Sequence, residues 1–142
     1  MTNVVRPLIV TAAIILGPDG RVLLAQRKSD AKTEASKWEF PGGKLEAFEH
    51  PEDCIRREIQ EELALDIRVE RAFDVASHFY VSGADRRHII LLCYLCRADT
   101  LDFKTIDVQD ARWVKSDELA SYDFAAADVP LVSRLQEWFR RG

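Results

Sequence analysis

Glu58, Glu61 and Glu62 stand at i, i+3 and i+4 within the run from Gly43 to Leu65. On a helix that spacing puts the carboxylates on one stripe. Anions this close repel each other unless a positive charge sits among them. A hard divalent cation such as Mg²⁺ takes oxygen ligands and often a substrate phosphate as well. The stripe therefore reads as a metal platform for phosphate chemistry. The plainer alternative is a solvated acidic face, which Glu clusters at helical spacing commonly form.

The neighbouring residues weigh against the plainer alternative. At about 100° per residue, Ile55, Ile59 and Leu63 form an apolar stripe roughly 100° round from the acids. One face then packs on a core while the next carries charge. Arg57 lies four before Glu61 and can pair with it. Pro51 suits the first helical position, and Glu52 and Asp53 follow where the helix dipole favours anions. Upstream, Pro41-Gly42-Gly43 lets backbone approach a ligand closely, and a free carbonyl there would be another metal ligand.

The elements that must position this stripe can be read along the chain. Leu8–Leu16 is a buried, β-rich run, and 17–20 (Gly-Pro-Asp-Gly) is a turn. Residues 21–26 return as the second half of a hairpin. Residues 27–37 form a polar loop that could border a site, and 38–40 a short strand. The helix spans 51–63. Residues 66–81 form one long or broken strand, 82–85 a turn, 87–97 the next strand and 111–114 the last. Ser116 is expected to cap a short helix. Residues 130–140 form a closing helix with Leu131, Leu135, Trp138 and Phe139 on one face. Strands on either side of a central helix, with a further helix at the end, imply an α/β fold, a mixed sheet between helices.

The chain has 142 residues, which bounds it at one domain, residues 1–142, with room for a real core. The net charge of −4 comes from well-mixed charges without a basic block. That argues against a nucleic-acid polymer as partner. No apolar run reaches the roughly 20 residues of a membrane span, and Met1 to Pro7 lack a signal-peptide layout. Cys54, Cys93 and Cys96 form no secreted-domain disulfide framework. Cys93 and Cys96 are spaced C-x-x-C, but on a strand they point to opposite faces. Buried thiols in a reducing cytoplasm are the expectation.

Residues 43–65 resemble the Nudix box, G-x5-E-x7-R-E-U-x-E-E-x-G-U, with U aliphatic. Gly43, Glu49, Arg57, Glu58, Ile59, Glu61, Glu62 and Leu65 match at the right spacings. Ala64 departs, standing where the pattern has Gly. A left-handed helix end there would cost Ala roughly 1 kcal/mol, unless the helix ends by another geometry. The resemblance implies the Nudix α/β/α sandwich over nearly the whole chain. It also implies metal-dependent hydrolysis of a nucleoside diphosphate linked to another group, with Mg²⁺ or Mn²⁺. Glu58, Glu61 and Glu62 would be the metal carboxylates, joined by the Gly42 carbonyl. Glu49 would be a peripheral ligand or a structural acceptor, and Arg57 would orient the acids without touching substrate. Asp107 falls where the related subgroup often has Glu as general base. It is either that base or a loop acid with no role.

Beyond the box, residues 23–27, 37–43 and 124–131 are similar to the MutT-type nucleoside triphosphate pyrophosphohydrolases. In that subgroup the positions matching Arg27, Phe40 and Asp128 line the nucleotide pocket. Arg27 could offer a forked donor, Phe40 an apolar face for a base, and Asp128 an acceptor. The plainer roles are core packing for Phe40 and a helix cap for Asp128. Asp accepts only, whereas Asn also donates. The Asn-bearing relatives clear 8-oxo-dGTP. CTP-preferring relatives carry Asp in a similar segment and share the stretch 75–78 (Val-Ala-Ser-His). Substrate choice stays open among dCTP-like, modified dCTP, 8-oxo-dGTP and broader triphosphate sets. His78 and His88 face either the pocket or core and solvent. The implied partner is a small-molecule nucleotide, with no membrane, on a monomer or homodimer. Two rivals stand: the same chemistry on ADP-ribose, a sugar nucleotide or a dinucleotide polyphosphate, and a nucleotide-binding domain without turnover.

Overall fold

The computed structural model describes residues 5–142, so residues 1–4 of the segment read for a leader lie outside it. The elements run β1 (Leu8–Leu16), β2 (Val22–Gln26), β3 (Trp38–Glu39), α1 (Pro51–Leu63), β4 (Arg68–Ser82), β5 (Asp85–Arg97), β6 (Asp110–Val114) and α2 (Val129–Arg141). Two 3₁₀ turns, Ser116–Ser121 and Ala126–Asp128, lie between β6 and α2. The strands make one mixed sheet in the order β3-β2-β1-β5-β4, with β6 on β2. β1 and β5 are parallel from Leu8↔Ile89 to Leu16↔Arg97, and the other pairs are antiparallel.

Both faces of the sheet are covered, which explains the unbroken burial from Thr11 to Leu16 on β1. Ala12, Ile14 and Leu16 join Leu131 and Leu135 of α2 in one core layer. Ala13 and Ile15 join Ile55, Ile59 and Leu63 of α1 in the other. The α1 stripe read from the sequence is thus the buried one. Cys93 lies in the first layer and Cys96 in the second, both as free thiols. The long strand is continuous, with irregularities between Val69 and Arg71 and between Ala72 and Asp74. No helix among the described residues is long and apolar enough to cross a membrane.

Two local expectations need correction. Ser116 is the first residue of its turn and does not cap it. Lys115 holds the cap position, and no side chain bonds the free N–H groups. Asp128 does hold the cap position of α2, yet its carboxylate makes no cap bond. That carboxylate is drawn instead to a buried amide described below.

Ala64 ends α1 in the left-handed region at φ 50° and ψ 43°, its N–H bonded to the Gln60 carbonyl at 3.0 Å. Ala64→Gly should therefore raise unfolding free energy by about 0.5–1 kcal/mol, the strain relieved less the added freedom of the unfolded chain. Urea titration measures it, and a loss of stability would contradict the left-handed helix end.

Candidate active site

The segment from Phe40 to Leu45 leads from the end of β3 towards α1. It is stitched to β1 by backbone. Ala13 N–H donates to the Pro41 carbonyl at 2.8 Å, Thr11 N–H to Gly43 at 2.7 Å, and Leu45 N–H to Ile9 at 3.0 Å. A Cβ on Gly42 would lie 2.1 Å from the Thr11 carbonyl oxygen, and one on Gly43 would lie 2.3 Å from the Glu58 carboxyl carbon. The glycines are thus needed for close approach to the protein's own strand and acid. The Gly42 carbonyl, between two occupied ones, takes no backbone donor among the described residues.

Arg57 organises the acid stripe. It forks onto Glu49 at 2.8 and 3.0 Å. It also reaches Glu58 at 2.9 Å and Glu61 at 3.3 Å. The guanidinium holds the Glu49 carboxyl down to about 2. Glu61 is mostly exposed, Glu58 largely covered. Glu62 differs from both. Its Oε2 is shut off from solvent and has no hydrogen-bond partner. Burial, then Glu39 and Glu58, push its carboxyl up to about 9.

Among the described residues no three acidic, His or Cys side chains converge on one point at ion-binding distance. Glu58 and Glu61 are turned onto Arg57. The donor set nevertheless fits a hard cation. An unpaired buried carboxylate oxygen beside two more acids is a costly arrangement that a cation relieves.

Asp107 sits in the loop that α1 anchors. Its N–H donates to the Glu62 carbonyl at 3.2 Å, and its exposed carboxylate pairs with Lys28 at 2.8 Å. Its charge also raises Glu62. The acid is therefore beside the stripe, with its carboxylate open to solvent.

Next to the stripe lies a cleft of about 350 Å³. Arg27, Phe40, Gly42 and Asp128 all line it, so all four meet in one place. Asp128 is 5% exposed, and its Oδ2 accepts the Phe40 N–H at 2.9 Å. Burial, then Glu39, raises its carboxyl well above the ordinary range. Phe40 is both core and wall: it is buried in the first layer and packs on Phe124 at 5.7 Å. Arg27 is held by Glu39 at 3.1 Å and the Thr33 carbonyl at 3.1 Å. His78 and His88 do not line the cleft. They stack edge-on to Tyr80 and Phe79.

Sequence reasoning passed over Glu39, Glu34, Tyr80 and Arg87, which also line the cleft. Glu39 had a signal: it alternates with buried Trp38 and Phe40, so it must face the other side of the sheet. Tyr80 and Arg87 had none, because only strand pairing brings them together.

The family model of the NUDIX domain matches residues 6–135. The chain belongs to the Nudix family. It is a Nudix hydrolase of the MutT-like kind. It is 31% identical to the CTP pyrophosphohydrolase of Escherichia coli (strain K12), over 88% of this chain and 89% of that protein. It is 28% identical to the 8-oxo-dGTP diphosphatase of the same strain, over 89% and 95%. The MutT protein of Methanosarcina mazei Go1 shares the fold, with a TM-score of 0.82 at 20% identity, over 96% of this chain and 97% of that one. The E. coli ORF135 protein has a TM-score of 0.71 at 33% identity, over 94% and 91%.

Two tests separate geometry from charge in this Nudix site. Gly42→Ala should destabilise the protein by about 2–3 kcal/mol, because backbone must move. Gly43→Ala should cost less, since only the Glu58 side chain is displaced, but should abolish turnover. Calorimetry and an activity assay read the two effects, and equal stability of both variants would refute the close approach at Gly42. The second test is pH. Folded Glu62 keeps a proton that the unfolded chain releases near its ordinary 4.5, so without metal stability is lost as pH rises from there towards about 9. Glu62→Gln should flatten that slope in urea melts, and an unchanged slope would show that Glu62 is not the group responsible.

Proposed function

We infer that the protein is a divalent-metal-dependent nucleoside triphosphate pyrophosphohydrolase. Water and a (deoxy)nucleoside triphosphate would give the monophosphate and pyrophosphate. The observation that carries this reading is the orphaned Glu62 oxygen beside a nucleotide-sized cleft that is lined by a buried acceptor, Asp128. The relatives named for CTP and 8-oxo-dGTP support the triphosphate class.

Glu58, Glu61, Glu62 and the Gly42 carbonyl would hold Mg²⁺ or Mn²⁺. Such an ion, when bound, neutralises phosphate oxygens and lowers the pKa of a water. Arg57 keeps Glu58 and Glu61 on the stripe. Arg27, fixed by Glu39, sits in the cleft wall as a donor to phosphate or sugar. Phe40 gives the base an apolar face, and its N–H holds Asp128 in place. The free edge of Asp128 takes an exocyclic amine or ring N–H. Asp107 is the proposed proton acceptor from the attacking water. The water oxygen forms a bond to one phosphorus of the α–β bridge as the bridging P–O bond to it breaks, and the departing phosphate group keeps the bridging oxygen and the electron pair. A base with an amine, cytosine- or guanine-like, fits Asp128 better than one without.

The test is pyrophosphate release with Mg²⁺, or Mn²⁺, over standard and oxidised triphosphates, ADP-ribose and a diadenosine polyphosphate. Release from triphosphates is expected. Glu61→Gln and Glu62→Gln should each lower kcat by about 10²-fold or more at unchanged fold. Turnover of ADP-ribose or the dinucleotide alone would overturn the pocket reading, and full activity in both variants would overturn the metal platform.

A further inference from the structure

The β4–β5 ribbon reaches past the sheet. β1 begins to pair with β5 at Leu8↔Ile89, so the pairs Phe79↔His88 to Ser82↔Asp85 have no third strand among the described residues. This arm is apolar and exposed on its outer face, at Phe79 and Val81. Its inner face carries Tyr80 and Arg87, which are direct cross-strand partners and both line the cleft.

Tyr80 marks which end of the cleft this is. Burial pushes its hydroxyl up to about 12, with Glu34 adding to the shift and the Ala127 backbone opposing it. β4, which carries Tyr80, packs against the 126–128 turn that ends in Asp128. Glu34 is tied to the same segment, accepting the Ala126 N–H at 3.2 Å. Tyr80 thus lies in the Asp128 part of the cleft. The guanidinium carbon of Arg87 sits over the Tyr80 ring, 4.9 Å from its centroid. Asp85 steadies its Nε at 3.3 Å. No protein acceptor among the described residues takes its terminal N–H groups. A guanidinium seated over an aromatic ring, with free donors, in a cleft that also holds the Asp128 acceptor, is arranged to read an oxygen.

We propose that Arg87, stacked on Tyr80, is a specificity-determining residue that donates to a carbonyl oxygen of the substrate base while Asp128 accepts from its amine. The pair selects bases that carry both groups, cytosine and guanine, over adenine, which has no carbonyl. This rests on the nucleotide reading of the cleft, but it can fail separately from it.

The experiment is equilibrium binding of CMP, GMP and AMP, which needs no turnover, alongside kcat/KM for dCTP, dGTP and dATP. Wild type should bind CMP or GMP more tightly than AMP. Arg87→Met should lower that preference about tenfold, as expected for one lost charged hydrogen bond. Arg87→Lys should recover only part of it, because a point charge lacks the planar fork. A uniform loss across all three nucleotides would overturn the proposal in favour of a phosphate contact. Equal wild-type affinity for the three, no binding of any, or an unchanged preference in Arg87→Met would also overturn it. Absence of hydrolysis with base preference intact would overturn the proposed reaction and leave the base contact standing.

Discussion

The backbone contact between β1 and the Pro41–Gly43 segment is the constraint on which the site depends. Its hydrogen bonds join buried and half-buried residues, whose separation would leave amides and carbonyls unpaired. The strand comes so near that Gly42 has no room for a side chain. Through this contact Phe40 faces the cleft while Gly43 lies against Glu58. The cleft wall at Phe40 and the contact with the acid stripe at Gly43 are thus held a few residues apart on one segment. The register also puts Glu39, between two core aromatics, where it can hold Arg27.

Charge at the site is only partly compensated. Arg57 serves four acids in and just before its own helix, Glu46, Glu49, Glu58 and Glu61, and Arg27 serves Glu39. Glu62 and Asp128 are left with raised proton affinity in dry surroundings. Burial of this kind works against stability. It is tolerated because two apolar layers, under α1 and α2, grip the sheet from both sides. The same rigidity keeps the acids from relaxing outward into water.

Much of this was legible in the residues. Helix α1 was, because its apolar period, its Pro51 start and its acidic first turn all agree. The strands were, because apolar runs are bounded by Gly and Asp turns. The role of Asp128 was only half legible. Its place before Pro130 suggests a cap, and the competing Phe40 amide lies 88 positions away in sequence. Ser116 misled for a similar reason: a good capping residue stood one position too late. The glycines were seen as permissive, but the objects they admit, a carbonyl of Thr11 and the Glu58 carboxylate, belong to other elements.

The sequence by itself determined the periodic elements, the spacing of the acids on one helical stripe and the pairing of Arg57 with Glu61. These are local, set by a helical repeat of a few residues. The tertiary structure alone decided that Glu62 is orphaned, that Asp128 turns to a buried amide and that Tyr80 and Arg87 meet across an arm. Each depends on dehydration and on strand register. Those exist only once distant segments have packed and water has been excluded between them.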